Sequence, residues 1–117
     1  MIKQILLVGA GGAVGSVLRY LISVFMTKTD TFPLATFAVN IIGCFCIGLF
    51  INLIPTSNSM RFLLITGFCG GFTTFSAFAN ETLSLVNNNQ LPIALLYVTA
   101  SCILGVGAVW LGMYITK

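Results

Sequence analysis

Polar side chains occur at isolated positions inside long apolar runs, and they are the residues that could do chemistry in this chain. Two are ionisable, Arg19 and Glu81, and Asn40 carries an amide. The others are hydroxyl groups, at Thr36, Thr73, Thr74, Ser76, Tyr97 and Ser101. Polar groups inside a membrane are costly and usually mark an ion or substrate pathway. Neutral donors of this kind can replace the hydration shell of a small anion without trapping it.

Residues 67–78, with the sequence GFCGGFTTFSAF, form the most informative segment. A glycine pair and two adjacent β-branched threonines weaken a helix, so we expect the helix to break here, at mid-membrane. A break frees backbone groups that lipid cannot satisfy, and such backbone must be buried in protein or bind an ion. The alternative is a glycine-rich packing face whose hydroxyl groups bond back to their own helix.

Phe75 and Phe78 are three residues apart, beside the expected break. This spacing places both rings on one helix face. Because the edge of an aromatic ring is positive, edges turned inward can meet an anion favourably. The alternative is that these are ordinary core or lipid-facing phenylalanines, of which the chain has ten in all.

Four apolar helices must position these groups. The chain has 117 residues, of which 58% are hydrophobic and 6% charged, and its mean hydropathy is +1.09. A helix needs about 20 apolar residues to cross a bilayer. The sequence predicts one all-α transmembrane domain over 1–117, with spans at about 2–26, 34–54, 60–86 and 91–115. Only short turns and tails are left over, so no soluble domain fits.

Several function classes are excluded by composition. The chain has no histidine, so the usual zinc and iron ligand sets are missing. Its five basic residues are scattered singly, and nucleic acid is therefore not expected as a partner. We interpret the cysteines as small buried apolar groups, because all lie inside apolar segments: Cys44, Cys46, Cys69 and Cys102.

Small residues recur at helical spacing on two of the spans. Gly11 and Gly15 form a G-x-x-x-G face on the first span, with Arg19 one turn later on the same face. On the fourth span a stripe of small and hydroxylated residues consists of Tyr97, Ser101, Gly105 and Gly112. Such faces allow a neighbouring helix to approach closely.

With these pieces in place, the sequence resembles the small fluoride channels called Fluc or CrcB, over essentially the whole chain. The matching pieces are 11–15 with Arg19 and Tyr20, 36–40 with Gly43, and 67–78 with Glu81. Three residues depart from the common pattern: Ala35 replaces a glycine, Phe37 a leucine and Ala77 a threonine. The last departure leaves one fewer hydroxyl beside the phenylalanines.

The resemblance implies an antiparallel, dual-topology homodimer in the plasma membrane, with two fluoride pores and one structural sodium ion at its centre. The sodium ligands would be the backbone carbonyls of Gly70 and Thr73 from each subunit. Phe75 and Phe78 would line the fluoride path, and Asn40 would supply the pore amide.

The resemblance also implies roles for the remaining polar residues. Thr74, Ser76, Tyr97 and Ser101 match the polar lining of the path less tightly. Thr36 and Glu81 match residues at the pore entrance. Arg19 matches an arginine of the first span whose role is either structural or anion-attracting.

Charge and size agree with an oligomer of this kind. Four spans in 117 residues are too few to surround a pore comfortably. One side of the membrane would carry Lys3, Arg61 and Lys117. The other side would carry Lys28, with Arg19 near that end of the first span. Because this bias is weak, insertion in both orientations is expected. The partner is a second copy of the chain or a homologous second chain.

Three functions compete. A passive fluoride channel exporting fluoride from the cytoplasm needs no catalytic residue, so an enzyme is not expected. A small four-span multidrug antiporter would need an acid in its first span, which instead carries Arg19, and Glu81 is the only embedded carboxylate. A structural subunit that packs through its glycines would leave the hydroxyl groups, Asn40 and the expected break unexplained.

Overall fold

Four helical segments long and apolar enough to cross a membrane make up the computed structural model, which describes residues 1–26 and 31–117. They begin and end within two residues of the predicted spans. The elements are α1 (Ile2–Phe25), α2 (Leu34–Leu53), a π-helical segment (Phe62–Cys69), α3 (Gly70–Phe72), α4 (Phe75–Asn87) and α5 (Leu91–Ile115). Lys28 and Asp30, which the sequence places in a polar turn, lie outside the described residues.

The third segment, Phe62–Asn87, is interrupted once. Helical backbone ends at Phe72, Thr73 and Thr74 are extended, and helix resumes at Phe75. Gly70 keeps helical dihedral angles of −61° and −38°, so the interruption falls on the threonines and not on the glycine pair. β-Branched residues prefer extended backbone, which agrees with this position. The depth of Thr73 and Thr74 in a bilayer stays a prediction.

Helix α1 packs against the π-helical segment through glycine. A Cβ atom on Gly11 would overlap the carbonyl oxygen of Leu63, and one on Gly15 would overlap that of Phe68. From the other side of this contact, a Cβ on Gly71 of α3 would lie 2.5 Å from the carbonyl oxygen of Gly12. The two backbones are therefore in direct contact, and the glycine face predicted on the first span is present.

Helix α2 packs against α5 in the same way. A Cβ on Gly48 would overlap the carbonyl oxygen of Val109, and one on Gly112 would lie 2.5 Å from that of Phe45. Near the same end, the side-chain amide of Asn52 donates to the carbonyl of Met113 at 2.8 Å. The four segments thus form two glycine-mediated pairs.

Apolar side chains cover the outside of the molecule, which measures 48 × 29 × 23 Å. Many large ones are more than half exposed, including Ile103, Val106 and Trp110 on α5. The buried apolar residues of the described chain are few and include Val39, Phe72 and Tyr97. A surface of this kind suits lipid or a second subunit and does not suit water.

Candidate functional site

Asn40 on α2 holds the interruption from one side. The backbone N–H of Thr74 donates to its Oδ1 at 2.8 Å, and its Nδ2 donates to the carbonyl of Thr74 at 3.2 Å. Asn40 therefore replaces the helical partners that extended backbone at Thr74 gives up. A side-chain amide has two N–H groups, and this contact uses one of them.

Arg19 on α1 holds the interruption from another side. Its Nε donates to the carbonyl oxygen of Gly71 at 3.0 Å, across 52 residues of sequence. Carbonyls in the last turn of a helix lack an intrahelical partner, and an arginine can supply one. This contact agrees with the structural alternative for Arg19, and its Nη atoms have no hydrogen bond among the described residues.

Backbone carbonyls beside the interruption, those of Gly70 and Thr73 among them, are left without a hydrogen bond among the described residues. The N–H and the hydroxyl of Thr73 both turn back to the carbonyl of Cys69, at 3.0 and 2.9 Å. Neutral carbonyl oxygens of this kind coordinate small monovalent cations in membrane proteins. The residues therefore fit the sodium ligands that the family resemblance implies.

Helix α4 starts directly after the interruption. The hydroxyl of Thr74 accepts from the N–H of Ala77 at 3.3 Å and lies 3.4 Å from the hydroxyl oxygen of Ser76. The first N–H groups of a helix have no intrahelical acceptor, and its N-terminus carries partial positive charge. The start of α4 thus concentrates hydrogen-bond donors that suit an anion.

Glu81 is held by two hydroxyl groups from neighbouring helices. The Oγ1 of Thr36 donates to its Oε2 at 2.9 Å, and the hydroxyl of Tyr97 donates to its Oε1 at 3.2 Å. Thr36 and Tyr97 are both buried. Both carboxylate oxygens therefore have a donor, and the three residues form one cluster.

Aromatic rings connect this cluster to the start of α4. The ring centroid of Phe78 lies 5.8 Å from that of Phe75 and 5.0 Å from that of Tyr97. On its other side, Tyr97 meets the ring of Phe32 edge-on at 5.3 Å. Phe75 is 78% exposed, whereas Tyr97 is fully buried.

Phe32 is absent from the sequence-based set of site residues. The only local signal is an apolar residue just before Pro33 and the first turn of α2. No spacing relates it to Tyr97, which follows 65 positions later on another helix. Its contact is visible only in three dimensions.

Ser101 follows Tyr97 by four residues and lies on the same face of α5. Its hydroxyl oxygen is buried and has no hydrogen-bond partner among the described residues. A buried hydroxyl group without a partner costs free energy. The hydroxyl of Ser101 can therefore take a partner that the described residues do not supply.

A cavity of about 600 Å³ gathers part of the predicted set. Its lining includes Arg19, Thr36, Thr74, Glu81 and, from outside that set, Phe32. The lining does not include six other residues of that set: Asn40, Phe75, Ser76, Phe78, Tyr97 and Ser101. The cavity thus brings an arginine and a carboxylate to one end of the interruption.

Comparison with known proteins decides the family. Residues 6–113 match the family model described as CrcB-like protein, Camphor Resistance (CrcB). The chain belongs to the CrcB-like family. The family resemblance read from the motifs is therefore confirmed.

Close relatives of this CrcB-like chain carry names that state a function. The fluoride-specific ion channel FluC of Flavobacterium psychrophilum is 48% identical, over 98% of each chain. The FluC of Phocaeicola vulgatus is 46% identical over 98% of this chain and 99% of its own. The FluC of Azobacteroides pseudotrichonymphae is 42% identical over all of this chain and 98% of its own.

Membership in this family and the four apolar helices make the chain a membrane protein. The relatives are named as channels, a class of transport protein and not of enzyme.

Proposed function

We propose that the chain is a passive, fluoride-selective channel of the plasma membrane that exports fluoride from the cytoplasm. The observation that supports this proposal best is the start of α4, which is rich in hydrogen-bond donors. There, Thr74 and Ser76 lie beside the rings of Phe75 and Phe78. Relatives named for fluoride-specific conduction match over nearly their whole length, which supports fluoride as the ion.

The anion path in this proposal begins at the cavity lined by Arg19, Thr36 and Glu81. The second N–H of Asn40, which has no acceptor among the described residues, and the hydroxyl groups of Thr74 and Ser76 then receive the ion. Ring edges of Phe75 and Phe78 line the path, because a positive edge attracts an anion without binding it tightly.

On α5 the path continues from Tyr97, beside Glu81, to Ser101 one turn further along the helix. The unpartnered hydroxyl of Ser101 supports this direction, since an ion or its water would satisfy it. Conduction needs binding that is favourable enough for entrance and weak enough for exit. A lining made of neutral hydroxyl groups and ring edges meets this requirement.

In the proposed assembly two chains, either copies or homologues, pair antiparallel and form two pores. The 78% exposure of Phe75 supports pairing, because a pore-lining ring needs a second wall. The apolar outer surface of α5 is also available to lipid or a partner.

A structural sodium ion at the centre of the dimer belongs to the same proposal. The carbonyls of Gly70 and Thr73 would hold it, two from each chain. When bound, sodium supplies positive charge that offsets their unpaired dipoles. Within each chain, Arg19 and Asn40 keep the backbone around these carbonyls in place through Gly71 and Thr74.

A proton-coupled antiporter is less well supported. Its carrier acid would have to bind proton and substrate in turn. Among the described residues Glu81 is the only embedded acid, and hydroxyl groups of Thr36 and Tyr97 already occupy both of its oxygens. Glu81 in this arrangement shapes the entrance of the path.

Anion efflux from liposomes tests the proposed function. Vesicles holding the purified protein should release fluoride much faster than chloride, and faster than vesicles without protein. Phe75→Ile and Phe78→Ile should each lose most of the fluoride flux, because an aliphatic side chain has no positive edge. Equal fluoride and chloride release, or full flux in both variants, would contradict the proposal.

A further inference from the structure

Phe32 lies in the segment before α2 and contacts Tyr97. It has no role in the proposed anion path. Its ring lies edge-on to Tyr97, with centroids 5.3 Å apart and an interplanar angle of 79°. It also lines the cavity that contains Thr36 and Glu81. We propose that Phe32 is a positioning residue that holds Tyr97 so that the tyrosine hydroxyl stays on Glu81.

Tyr97 is fixed between two rings. Phe32 packs on one side, and Phe78 lies at 5.0 Å with an interplanar angle of 55°. Tyr97 has no exposed surface, so the direction of its hydroxyl is set by these neighbours. The hydroxyl reaches Glu81 at 3.2 Å, which is longer than the usual range of about 2.5–3.0 Å for an O–H···O bond. A small displacement of the ring is therefore enough to break the contact.

Release of this contact changes the charge that an anion meets. With both hydroxyl groups in place, each oxygen of Glu81 has a donor. Without Tyr97, one carboxylate oxygen loses its donor and presents a less compensated negative charge. Like charge beside an anion path repels the anion. Phe32 thus acts on fluoride through Tyr97 and Glu81, and this role depends on the proposed channel function.

The test combines Phe32→Leu with Tyr97→Phe in liposome efflux. An edge-on ring pair is worth a factor of about 2 to 10 in a conformational population, so Phe32→Leu should slow fluoride efflux by about that factor. In the Tyr97→Phe background the hydroxyl is already missing, and Phe32→Leu should cause no further loss. An equal loss in both backgrounds would overturn the proposal, as would wild-type efflux in Phe32→Leu.

Phe37→Leu is the matched control. The ring of Phe37 also meets Phe32 edge-on at 5.3 Å but makes no ring contact with Tyr97. It should leave efflux within about twofold of wild type, because Phe37 packs against the buried cluster around Tyr97 without an edge-on ring contact to the tyrosine. If Phe37→Leu shows the same loss and the same dependence on Tyr97, general packing explains the result and the proposal is wrong.

A spectroscopic measurement separates this inference from the proposed function. The chain has three tyrosines, so 3-fluorotyrosine labelling gives three ¹⁹F NMR signals, and Tyr97→Phe identifies one of them. Phe32→Leu should shift or broaden that signal, and Phe37→Leu should leave it in place. Where Phe32→Leu does not assemble, Phe32→Met takes its position in both experiments. An unchanged Tyr97 signal would overturn the inference even if fluoride flux is present, and absent wild-type flux would overturn the channel alone.

Discussion

At the scale of single residues, Asn40 bonds the extended backbone of Thr74 and is also proposed to donate to the anion. Asn40→Asp removes the N–H that bonds the carbonyl of Thr74 and adds a negative charge beside the proposed anion path. Two like charges about 4 Å apart near a protein surface repel by about 4 kcal/mol. We therefore expect fluoride efflux from liposomes to fall at least about a hundredfold.

Asn52→Asp is the matched control for this change. Asn52 lies on the same helix and also donates to a backbone carbonyl, that of Met113, but it is exposed near the end of α2. Its replacement should leave most of the fluoride flux. Equal losses in Asn40→Asp and Asn52→Asp would show that disturbing α2, and not charge in the path, stops conduction.

At the scale of elements, the contact between α1 and the π-helical segment depends on the absence of a side chain. A Cβ on Gly15 would overlap the carbonyl oxygen of Phe68 and lie 2.8 Å from the nitrogen of Phe72. Overpacking of this kind costs about 1–3 kcal/mol. Gly15→Ala should lower the free energy of unfolding in detergent by at least that amount, whereas Gly9→Ala, with nothing within 4 Å of its Cβ, should not.

Gly15→Ala should also lower fluoride flux. The backbone that it disturbs includes Phe72, the last residue of α3 before the interruption. A Gly15→Ala protein with unchanged stability and flux would mean that α1 does not need backbone contact at this position.

The sodium prediction concerns the interrupted third segment. Prolonged replacement of sodium by a large organic cation should weaken fluoride flux, because the carbonyls of Gly70 and Thr73 lose the positive charge that organises them. A brief sodium gradient should not drive transport. Fluoride accumulation against its own gradient, driven by sodium alone, would make the protein a symporter.

At the scale of the whole molecule, local patterns predict the helices well and the site only in part. Apolar run length predicts the spans to within two residues. The glycine pair and the two threonines together predict an interruption, which the structure places on the threonines alone. The glycine spacing on α1 predicts a packing face but not its partner, the π-helical segment. The contacts of Arg19 with Gly71 and of Asn40 with Thr74 join distant parts of the chain, so spacing along the sequence cannot reveal them.

Dual topology is a prediction about the whole molecule in its membrane. Single cysteines at Ser57 and Asn88, in turns at opposite ends of the helices, can be tested in a background without native cysteines. An impermeant thiol reagent outside intact cells should label about half of each variant if both orientations are equally populated. Full labelling of one and none of the other would mean a single orientation and exclude the antiparallel homodimer.

The most direct test of the central claim is whether fluoride movement carries net charge. In liposomes with a potassium gradient, fluoride efflux through a passive channel should stall as voltage builds. It should resume when a potassium ionophore supplies compensating charge. A pH gradient should not drive fluoride accumulation beyond the hydrogen fluoride leak of empty vesicles. Full-speed efflux without the ionophore, together with protein-dependent accumulation driven by protons, would contradict the channel and make Glu81 a carrier acid.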